Sequence, residues 1–265
     1  MQVYKGMDIG TAKLPAAERR GIPHHLLDVV LPGEDWDVAR FVAEAGAVVE
    51  SIEARGHRPL LVGGTGLYVH ALVDGFDVPG RFPQVGALLE GAPTDALYRR
   101  LGEVDPAGAA RIEPGNRRRV LRALEVSLGS GRPFSSYGPG VGAFPATPWS
   151  LAGVWLPRGV VGARLARRLE AMVSAGFVEE VRALAVRPEG ISRTARQALG
   201  YREILAHLEG GLPLADALDL ALRRTRQFAR RQRMWWRRDP RVQWFGAAEN
   251  PLDVFPALLG NWGYA

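Results

Sequence analysis

The chain has no cysteine and no long apolar run, and lysine occurs only at positions 5 and 13. The absence of cysteine excludes disulfides, thiolate catalysis and cysteine-based zinc sites. No run of about 18 apolar residues is present, so no membrane-spanning helix is predicted. The first residues lack the apolar segment of a secretory signal, which favours a cytoplasmic protein. A length of 265 residues fits one large domain or a domain with a smaller insertion.

Arginine supplies nearly all of the positive charge. Lys and Arg together number 34 against 28 acidic residues, which gives a net charge of +6. The guanidinium group binds phosphate in a bidentate manner and stacks on planar rings, so this composition indicates a nucleic acid or phosphate partner. A GC-rich coding bias that replaces lysine with arginine explains the same composition equally well. Composition alone leaves both explanations open.

The stretch LLVGGTGLY at 60–68 contains the strongest local signal. Its first residues form a continuous apolar run, which predicts a short buried strand at 60–62. The residues that follow predict a tight turn whose backbone N–H groups face an anion, here a diphosphate; they are Gly63, Gly64, Thr65 and Gly66. An ordinary strand-to-helix turn, with glycines for packing, accounts for the pattern as well.

The first part of the chain predicts an α/β fold. Residues 25–30 are interpreted as a strand and 38–52 as an amphipathic helix, followed by the strand at 60–62. Such a strand, helix and strand form a right-handed βαβ unit in a parallel sheet. Residues 76–116 contain several Pro and Gly residues and are interpreted as a small helical insertion. The predicted core therefore comprises 1–75 and 117–265.

Helical periodicity continues after the predicted insertion. Helices are expected at 117–128, 161–175, 177–185 and 214–238, and a strand at 151–156. The last helix has an arginine stripe with a period of about 3.6 residues, formed by Arg223, Arg226, Arg230, Arg233 and Arg237. Solvated charged faces usually mix both signs, so this stripe favours a phosphate-binding surface. Trp235 and Trp236 are interpreted as core residues rather than platforms for base stacking.

Several stretches in register resemble the bacterial tRNA dimethylallyltransferase (tRNA isopentenyltransferase) family. They are MQVYKGMDIGTAK at 1–13, PHHLLD at 23–28, GGTGLY at 63–68, RRVLRALEV at 118–126, GFVEEV at 176–181, LGYR at 199–202 and TRQFARRQ at 225–232. They span nearly the whole chain. The resemblance implies a P-loop-NTPase-like parallel sheet core, with the helical insertion gripping the anticodon stem-loop.

The resemblance also implies a reaction and its partners. Members of this family transfer a dimethylallyl group from dimethylallyl diphosphate to the exocyclic amine of an adenosine beside the tRNA anticodon, with Mg²⁺ on the diphosphate. The adenosine leaves the loop and enters a channel, as in other base-modifying enzymes. A monomer is expected. No metal ligand can be named within the chain.

The resemblance also implies individual site residues. Thr65 resembles the family threonine at the reaction centre, and Arg164 and Arg168 resemble arginines directed at the diphosphate. Exposed helix arginines without a function remain the alternative for the last two. The resemblance implies tRNA contacts at Met1, Gln2, Arg118, Arg119, Val120, Leu121, Arg122, Gln197, Ala198, Leu199, Gly200, Tyr201 and Arg202.

The P-loop signature G-x-x-x-x-G-K-[ST] occurs nowhere in the sequence. In the family this signature and an Asp, the presumed general base, precede the stretch that matches 1–13. Two explanations compete, namely a coding start assigned at an internal methionine and a real truncation; the first is preferred because the later motifs are intact. Prenyl transfer by the chain as written is not expected. The alternatives are a tRNA-binding remnant without activity and a related prenyltransferase that uses free AMP.

Overall fold

The computed structural model describes residues 1–263. The helices are α1 Val38–Ala54, α2 Gly66–Val73, α3 Pro83–Leu89, α4 Thr94–Val104, α5 Pro106–Ala109, α6 Arg117–Ser130, α7 Arg158–Ser174, α8 Phe177–Ala185, α9 Arg193–Arg196, α10 Tyr201–Leu208, α11 Leu214–Trp236 and α12 Phe255–Asn261. Short 3₁₀ helices lie at Ala16–Glu18, Phe134–Tyr137 and Pro251–Val254. The strands are β1 Ala152–Trp155 and β2 Gln243–Gly246. The fold is therefore α/β, with many helices and a small sheet.

The two strands form a parallel pair. Their register runs from Ala152 opposite Gln243 to Trp155 opposite Gly246. The strand predicted at 151–156 is confirmed, whereas β2 was missed because its four residues show no apolar alternation or flanking signal strong enough to predict it. The parallel sheet of the predicted fold class is therefore present in this reduced form.

The two strands predicted in the first part of the chain are wrong. Residues 60–62 are not in a strand, and Leu60 and Val62 are 68% and 83% exposed. Within 25–30 only Val30 pairs, through an isolated parallel bridge to Tyr4. A strand requires a neighbour that accepts its backbone hydrogen bonds, and none of residues 1–263 forms a ladder with these segments. The predicted βαβ unit is therefore absent from the part of the chain that the structure describes.

The helices predicted from periodicity are confirmed to within a few residues. The expected helix at 38–52 is α1, which the carboxylate of Asp37 caps by accepting the N–H of Arg40 at 3.0 Å. The expected helix at 214–238 is α11, which ends at Trp236. None of the helices in residues 1–263 is both long and apolar enough to cross a bilayer. Apolar spacing was thus a reliable guide to the helices.

The predicted insertion at 76–116 lies inside a longer compact unit of the structure. The compact unit that contains it is Leu67–Thr147, so 117–147, assigned to the core from the sequence, belong to this smaller unit. The physical reason is the packing of α6 against α3 and α4. The buried residues of this core are Leu89, Leu97, Leu101, Ala109, Ile112, Val120, Ala123 and Leu124.

The larger unit comprises Met1–Gly66 and the chain from Pro148 onward. Four of its helices pack together: α11 packs against α7 and α10, and α8 packs against the same two helices. The buried aromatic residues Phe177 and Tyr201, each 1% exposed, lie where α8 meets α10. The long helix α11 is therefore anchored by two helices of the larger unit, α7 and α10.

Asp105 binds the loop that follows α6 and so holds it against the rest of the smaller unit. It is 1% exposed, its Oδ1 accepts the N–H of Gly108 at 2.8 Å and the hydroxyl of Ser135 at 2.6 Å, and its Oδ2 accepts the N–H of Ser135 at 2.8 Å. Burial by itself would raise the pKa of Asp105, but the hydrogen bonds from Ser135 and Gly108 outweigh it, so that the pKa is lowered. The ionised carboxylate therefore stabilises the folded state.

Asp105→Asn is expected to lower the free energy of unfolding by about 1–3 kcal/mol, because one amide N–H₂ then faces donors. The wild-type contribution of Asp105 is present above its unfolded pKa of about 3.9 and is lost as the pH falls through the lower folded pKa. Urea unfolding of both proteins between pH 3 and pH 7 measures this. A constant difference over the whole range would contradict a contribution from ionised Asp105.

Candidate functional site

The glycine-rich turn at 63–66 packs directly against α11. A Cβ added to Gly64 would lie 2.2 Å from Nε2 of Gln232, and one added to Gly66 would lie 2.0 Å from Nε1 of Trp235. Only glycine permits so close an approach of the backbone to these side chains. The packing interpretation of the turn therefore accounts for glycine at these two positions.

The other side of the turn is open. Gly63 and Thr65 are both exposed, and a Cβ added to Gly63 would have no neighbour within 4 Å. The indole N–H of Trp236 donates to the carbonyl of Gly64 at 3.4 Å, so this half-buried tryptophan is engaged with the turn. The hydroxyl of Thr65 thus lies on an accessible surface that α11 supports from behind.

A group of arginines lies at the carboxyl end of β1. Arg233 of α11 donates to the carbonyl oxygen of Leu156, and its guanidinium carbon lies 5.2 Å from the centre of the Trp155 ring. Burial, together with the positive charges of Arg158 and Arg237, lowers the pKa of Arg233. Within residues 1–263, neither Arg158 nor Arg237 forms an ion pair. A bound anion would relieve this repulsion between cations.

Sequence reasoning missed Arg158 as a member of this group. The available signal was its position, because Arg158 follows β1 after only Leu156 and Pro157 and opens α7. Ligands of parallel α/β sheets bind outside the carboxyl ends of the strands. Fold and site together therefore define the class of this protein, an α/β protein with a cationic site at the carboxyl end of a parallel strand.

The arginines predicted to face the diphosphate lie on the exposed surface of α7. Arg164 and Arg168 are one helical turn apart, both are exposed, and neither forms an ion pair with another residue of 1–263. Helix α7 packs against α11, where a Cβ added to Gly162 would lie 3.9 Å from Nε of Arg226. These two arginines thus share α7 with Arg158, and no carboxylate in the described chain neutralises them.

The predicted tRNA segment in the smaller unit divides into exposed and buried residues. Arg118 and Arg119 are exposed. Arg122 donates to a carboxylate oxygen of Glu125 at 2.7 Å and to the carbonyls of Pro79 and Gly80. Two further members of the segment pack in or against the core of this unit, namely Val120 and Leu121. Direct contact with a nucleic acid is therefore available to Arg118 and Arg119, and the other three hold the helix in position.

The predicted segment 197–202 is divided in the same way. Gln197 and Arg202 are exposed, whereas the side chain of Tyr201 is buried and its hydroxyl donates to Oε1 of Glu180 at 2.5 Å. The other three residues of the segment are buried or half-buried and form the bend before α10; they are Ala198, Leu199 and Gly200. Spacing in the sequence could not separate these two groups, because the bend has no helical or strand period.

The other predicted tRNA residues lie at the start of the chain. Met1 is exposed, and Gln2 is partly buried. The side-chain amide of Gln2 donates to the carbonyls of Thr11 and Ala12 at 3.0 and 3.1 Å. The N–H₂ group of Gln2 is thus engaged within its own loop.

The arginine stripe on α11 contains two arginines that are free for a ligand along its middle. Arg226 and Arg230 are exposed and form no ion pair in residues 1–263. Arg223 differs, because it pairs with Asp219 one turn before it. The other two members of the stripe, Arg233 and Arg237, belong to the group at the end of β1. The predicted phosphate-binding surface is therefore reduced in length but remains cationic.

Metal ligands are not clustered in the described chain. No group of three or more His, Asp or Glu side chains in residues 1–263 is arranged to hold a metal ion. Mg²⁺ bound to a diphosphate usually takes only one or two carboxylates beside the phosphate oxygens.

The sequence profile of one family, described as IPP transferase, matches residues 2–239. The chain belongs to this family. A tRNA dimethylallyltransferase of Kineococcus radiotolerans is 49% identical over 98% of this chain and 83% of its own length. A tRNA dimethylallyltransferase of Desulforudis audaxviator is 43% identical over 98% of this chain and 86% of its own length.

Solved structures give the same result. A tRNA isopentenylpyrophosphate transferase of Bacillus halodurans is similar with a TM-score of 0.70 and 34% identity, over 98% of this chain and 84% of the other. A eukaryotic dimethylallyltransferase described as acting on tRNA is similar with a TM-score of 0.76 and 26% identity, over the whole of this chain and 69% of the other. The resemblance inferred from the sequence is confirmed.

Proposed function

We propose that this protein transfers a dimethylallyl group from dimethylallyl diphosphate to the exocyclic amine of the adenosine beside the tRNA anticodon, as a cytoplasmic monomer. The match to the IPP transferase family over residues 2–239 carries the proposal. The names of its relatives, which are tRNA dimethylallyltransferases, support this donor and acceptor. The cationic site at the end of β1 supports a ligand that carries phosphate groups.

The chemistry has two requirements beyond bringing the two substrates together. The amine nitrogen of the adenosine forms a bond to the first carbon of the dimethylallyl group while the bond from this carbon to the diphosphate oxygen breaks. Negative charge then grows on the departing diphosphate, where cations stabilise it most. A base must also take a proton from the amine. Of these tasks, we assign the stabilisation of the diphosphate to the arginines of this chain.

We assign the diphosphate to the arginines of α7 and of the end of β1. Arg164 and Arg168 are exposed and free of ion pairs within residues 1–263, so that their guanidinium groups are available to phosphate oxygens. Arg158 and Arg237 lie close enough to Arg233 to lower its pKa, which marks a site where an anion is favoured. The hydroxyl of Thr65, exposed on the glycine turn, is proposed to bond the substrate near the transferring group.

Arg168→Ala is expected to weaken the binding of inorganic diphosphate by about 10- to 160-fold, because hydrogen bonds to charged groups contribute about 1.5–3 kcal/mol. Isothermal titration calorimetry measures this. The matched control is Arg167→Ala on the same helix, since Arg167 is also exposed but has no assigned role. Equal losses in the two variants would remove Arg168 from the site.

A second candidate function is tRNA binding without prenyl transfer. The observation that favours it is the absence of G-x-x-x-x-G-K-[ST] from the 265-residue sequence, since this loop binds phosphates in P-loop proteins. The exposed arginines of α11 would carry this binding, which would then be strongly salt dependent.

An assay with the 265-residue chain separates the candidates. Radiolabelled dimethylallyl diphosphate is supplied with an unmodified anticodon stem-loop, with the same stem-loop carrying uridine at the target adenosine, or with free AMP. Label in the adenosine stem-loop alone supports the proposed function and contradicts the expectation from the sequence that the 265-residue chain is inactive. Binding of the stem-loop without label supports the binding function, and label in AMP overturns the choice of a tRNA acceptor.

A further inference from the structure

The side chain of Glu180, in the first turn of α8, collects four hydrogen bonds from two distant parts of the chain. Its Oε2 accepts the backbone N–H of Asp8 at 2.9 Å and of Ile9 at 2.7 Å. Its Oε1 accepts the N–H of Gly10 at 3.2 Å and the hydroxyl of Tyr201 at 2.5 Å. One carboxylate thus joins the loop at 8–10 to the start of α10.

The packing around this carboxylate is tight. A Cβ added to Gly10 would lie 2.0 Å from the ring of Phe177 and 2.6 Å from the ring of Tyr201. The two rings meet edge to face, with 5.0 Å between their centres and 75° between their planes. The loop is therefore seated directly on the aromatic pair, and the four hydrogen bonds determine its orientation there.

Glu180 has no cationic partner among residues 1–263. Its described contacts are N–H and O–H donors alone, and its position in the first turn of α8 lies at the positive end of the helix dipole. Burial and the neighbouring carboxylate raise the pKa of Tyr201, so its hydroxyl remains a donor. Such an arrangement of donors is directional, because each N–H must point at an oxygen.

The two segments that Glu180 joins are those with predicted tRNA contacts at the start of the chain and at 197–202. The loop carries Gln2, whose amide is bonded to the carbonyls of Thr11 and Ala12 just after the residues held by Glu180. Tyr201 is followed by Arg202, which is exposed. The relative position of these segments therefore depends on a side chain that has no predicted contact with tRNA.

We propose that Glu180 is a positioning residue for tRNA binding, which fixes the loop at 1–13 and the start of α10 so that both present their exposed groups to the anticodon stem-loop. The inference rests on the proposed function. It assigns Glu180 no contact with the substrate and no part in the chemical step.

Variants of Glu180 test the proposal through the sign of their effect on the Kd for an anticodon stem-loop. Removing a negative charge should by itself strengthen the binding of RNA. Glu180→Ala is nevertheless expected to raise the Kd about tenfold, because the loop and α10 lose their common anchor. Glu180→Gln is expected to raise it less, since a carbonyl oxygen still accepts the N–H groups of Asp8 and Ile9. The hydroxyl of Tyr201 can turn to accept from the new amide.

The chain offers a matched control next to Glu180. Glu179 is exposed, and Arg182 is its ion-pair partner. Glu179→Gln removes the same charge at nearly the same place and should leave the stem-loop Kd unchanged or slightly lower. All Kd values are measured well below the Tm of each variant, and the Kd for inorganic diphosphate is measured alongside.

The outcomes separate the positioning role from general destabilisation and from the proposed function. An increased stem-loop Kd in Glu180→Ala, partly restored in Glu180→Gln with the diphosphate Kd unchanged, supports the positioning role. A lower Tm with an unchanged stem-loop Kd, or equal losses for both ligands, overturns it. Wild-type protein that does not bind the stem-loop overturns the proposed function and this inference together.

Discussion

Replacing Arg226 and Arg230 of α11 with alanine is expected to weaken the binding of an anticodon stem-loop by about 25- to 60-fold at 0.1 M salt. The logarithm of a binding constant falls with the logarithm of salt by about 0.7–0.9 for each phosphate that is neutralised. With 1 M salt as the point at which these contacts contribute nothing, the loss of two contacts lowers the binding constant at 0.1 M salt by about 1.4–1.8 log units. The slope of the logarithm of the binding constant against the logarithm of salt concentration should become shallower by the same amount. Filter binding between 50 and 300 mM salt measures both quantities.

Two controls separate charge from geometry in this experiment. Lysine at both positions keeps the charge and should keep most of the salt slope, because lysine also binds phosphate as a point charge. Arg223→Ala should change the slope less than Arg230→Ala, since Arg223 is paired with Asp219 while Arg230 is exposed and unpaired within residues 1–263. If the double alanine variant keeps the wild-type slope, α11 is not a phosphate-binding surface.

Gly66→Ala is expected to lower the free energy of unfolding by about 1–3 kcal/mol, the usual range for overpacking. The new Cβ would lie 2.0 Å from Nε1 of Trp235, so the turn or the indole must move. A protein of this size should then lose about 2–12 °C in Tm. Gly63→Ala is the matched control, because its Cβ has no neighbour within 4 Å. Thermal unfolding followed by circular dichroism compares the two.

A second substitution shows whether Trp235 is the reason why Gly66→Ala destabilises the protein. Trp235→Phe shortens the side chain that faces Gly66, so the alanine at 66 should be better tolerated in this background. A coupling free energy of about 0.5–3 kcal/mol between the two positions is expected for residues in direct contact. Independent, additive effects would mean that the turn does not depend on its packing against α11.

Five of the helices and one strand could be predicted from the sequence because they depend on local spacing. The apolar period identified α8 at its observed bounds, and α1 and α11 within two residues of theirs. Composition wrongly predicted a strand at 60–62, since a strand forms only where a neighbouring segment elsewhere in the chain can pair with it. The apolar run there was real, but Leu60 and Val62 are exposed.

The candidate site shows the same division between local and distant information. Arg164 and Arg168 were identified from a motif, and their exposure on α7 agrees with an anion-binding role. The role of Glu180 could not be predicted, because its partner Gly10 is 170 residues away and neither segment carries a signal that they are in contact. A single sequence does not report such contacts, and geometry is needed to find them.

The division of the chain into two units has a consequence for its synthesis. Leu67–Thr147 is continuous, whereas the other unit needs both Met1–Gly66 and the chain from Pro148 onward. At a translation rate of about 5–20 residues per second, the first 66 residues wait for roughly 10 s or more before their partners in α7 to α11 have left the ribosome. The smaller unit can fold during this interval. The loop at 8–10 cannot be fastened until Glu180 and Tyr201 emerge, so its backbone N–H groups stay without their native acceptor throughout this interval.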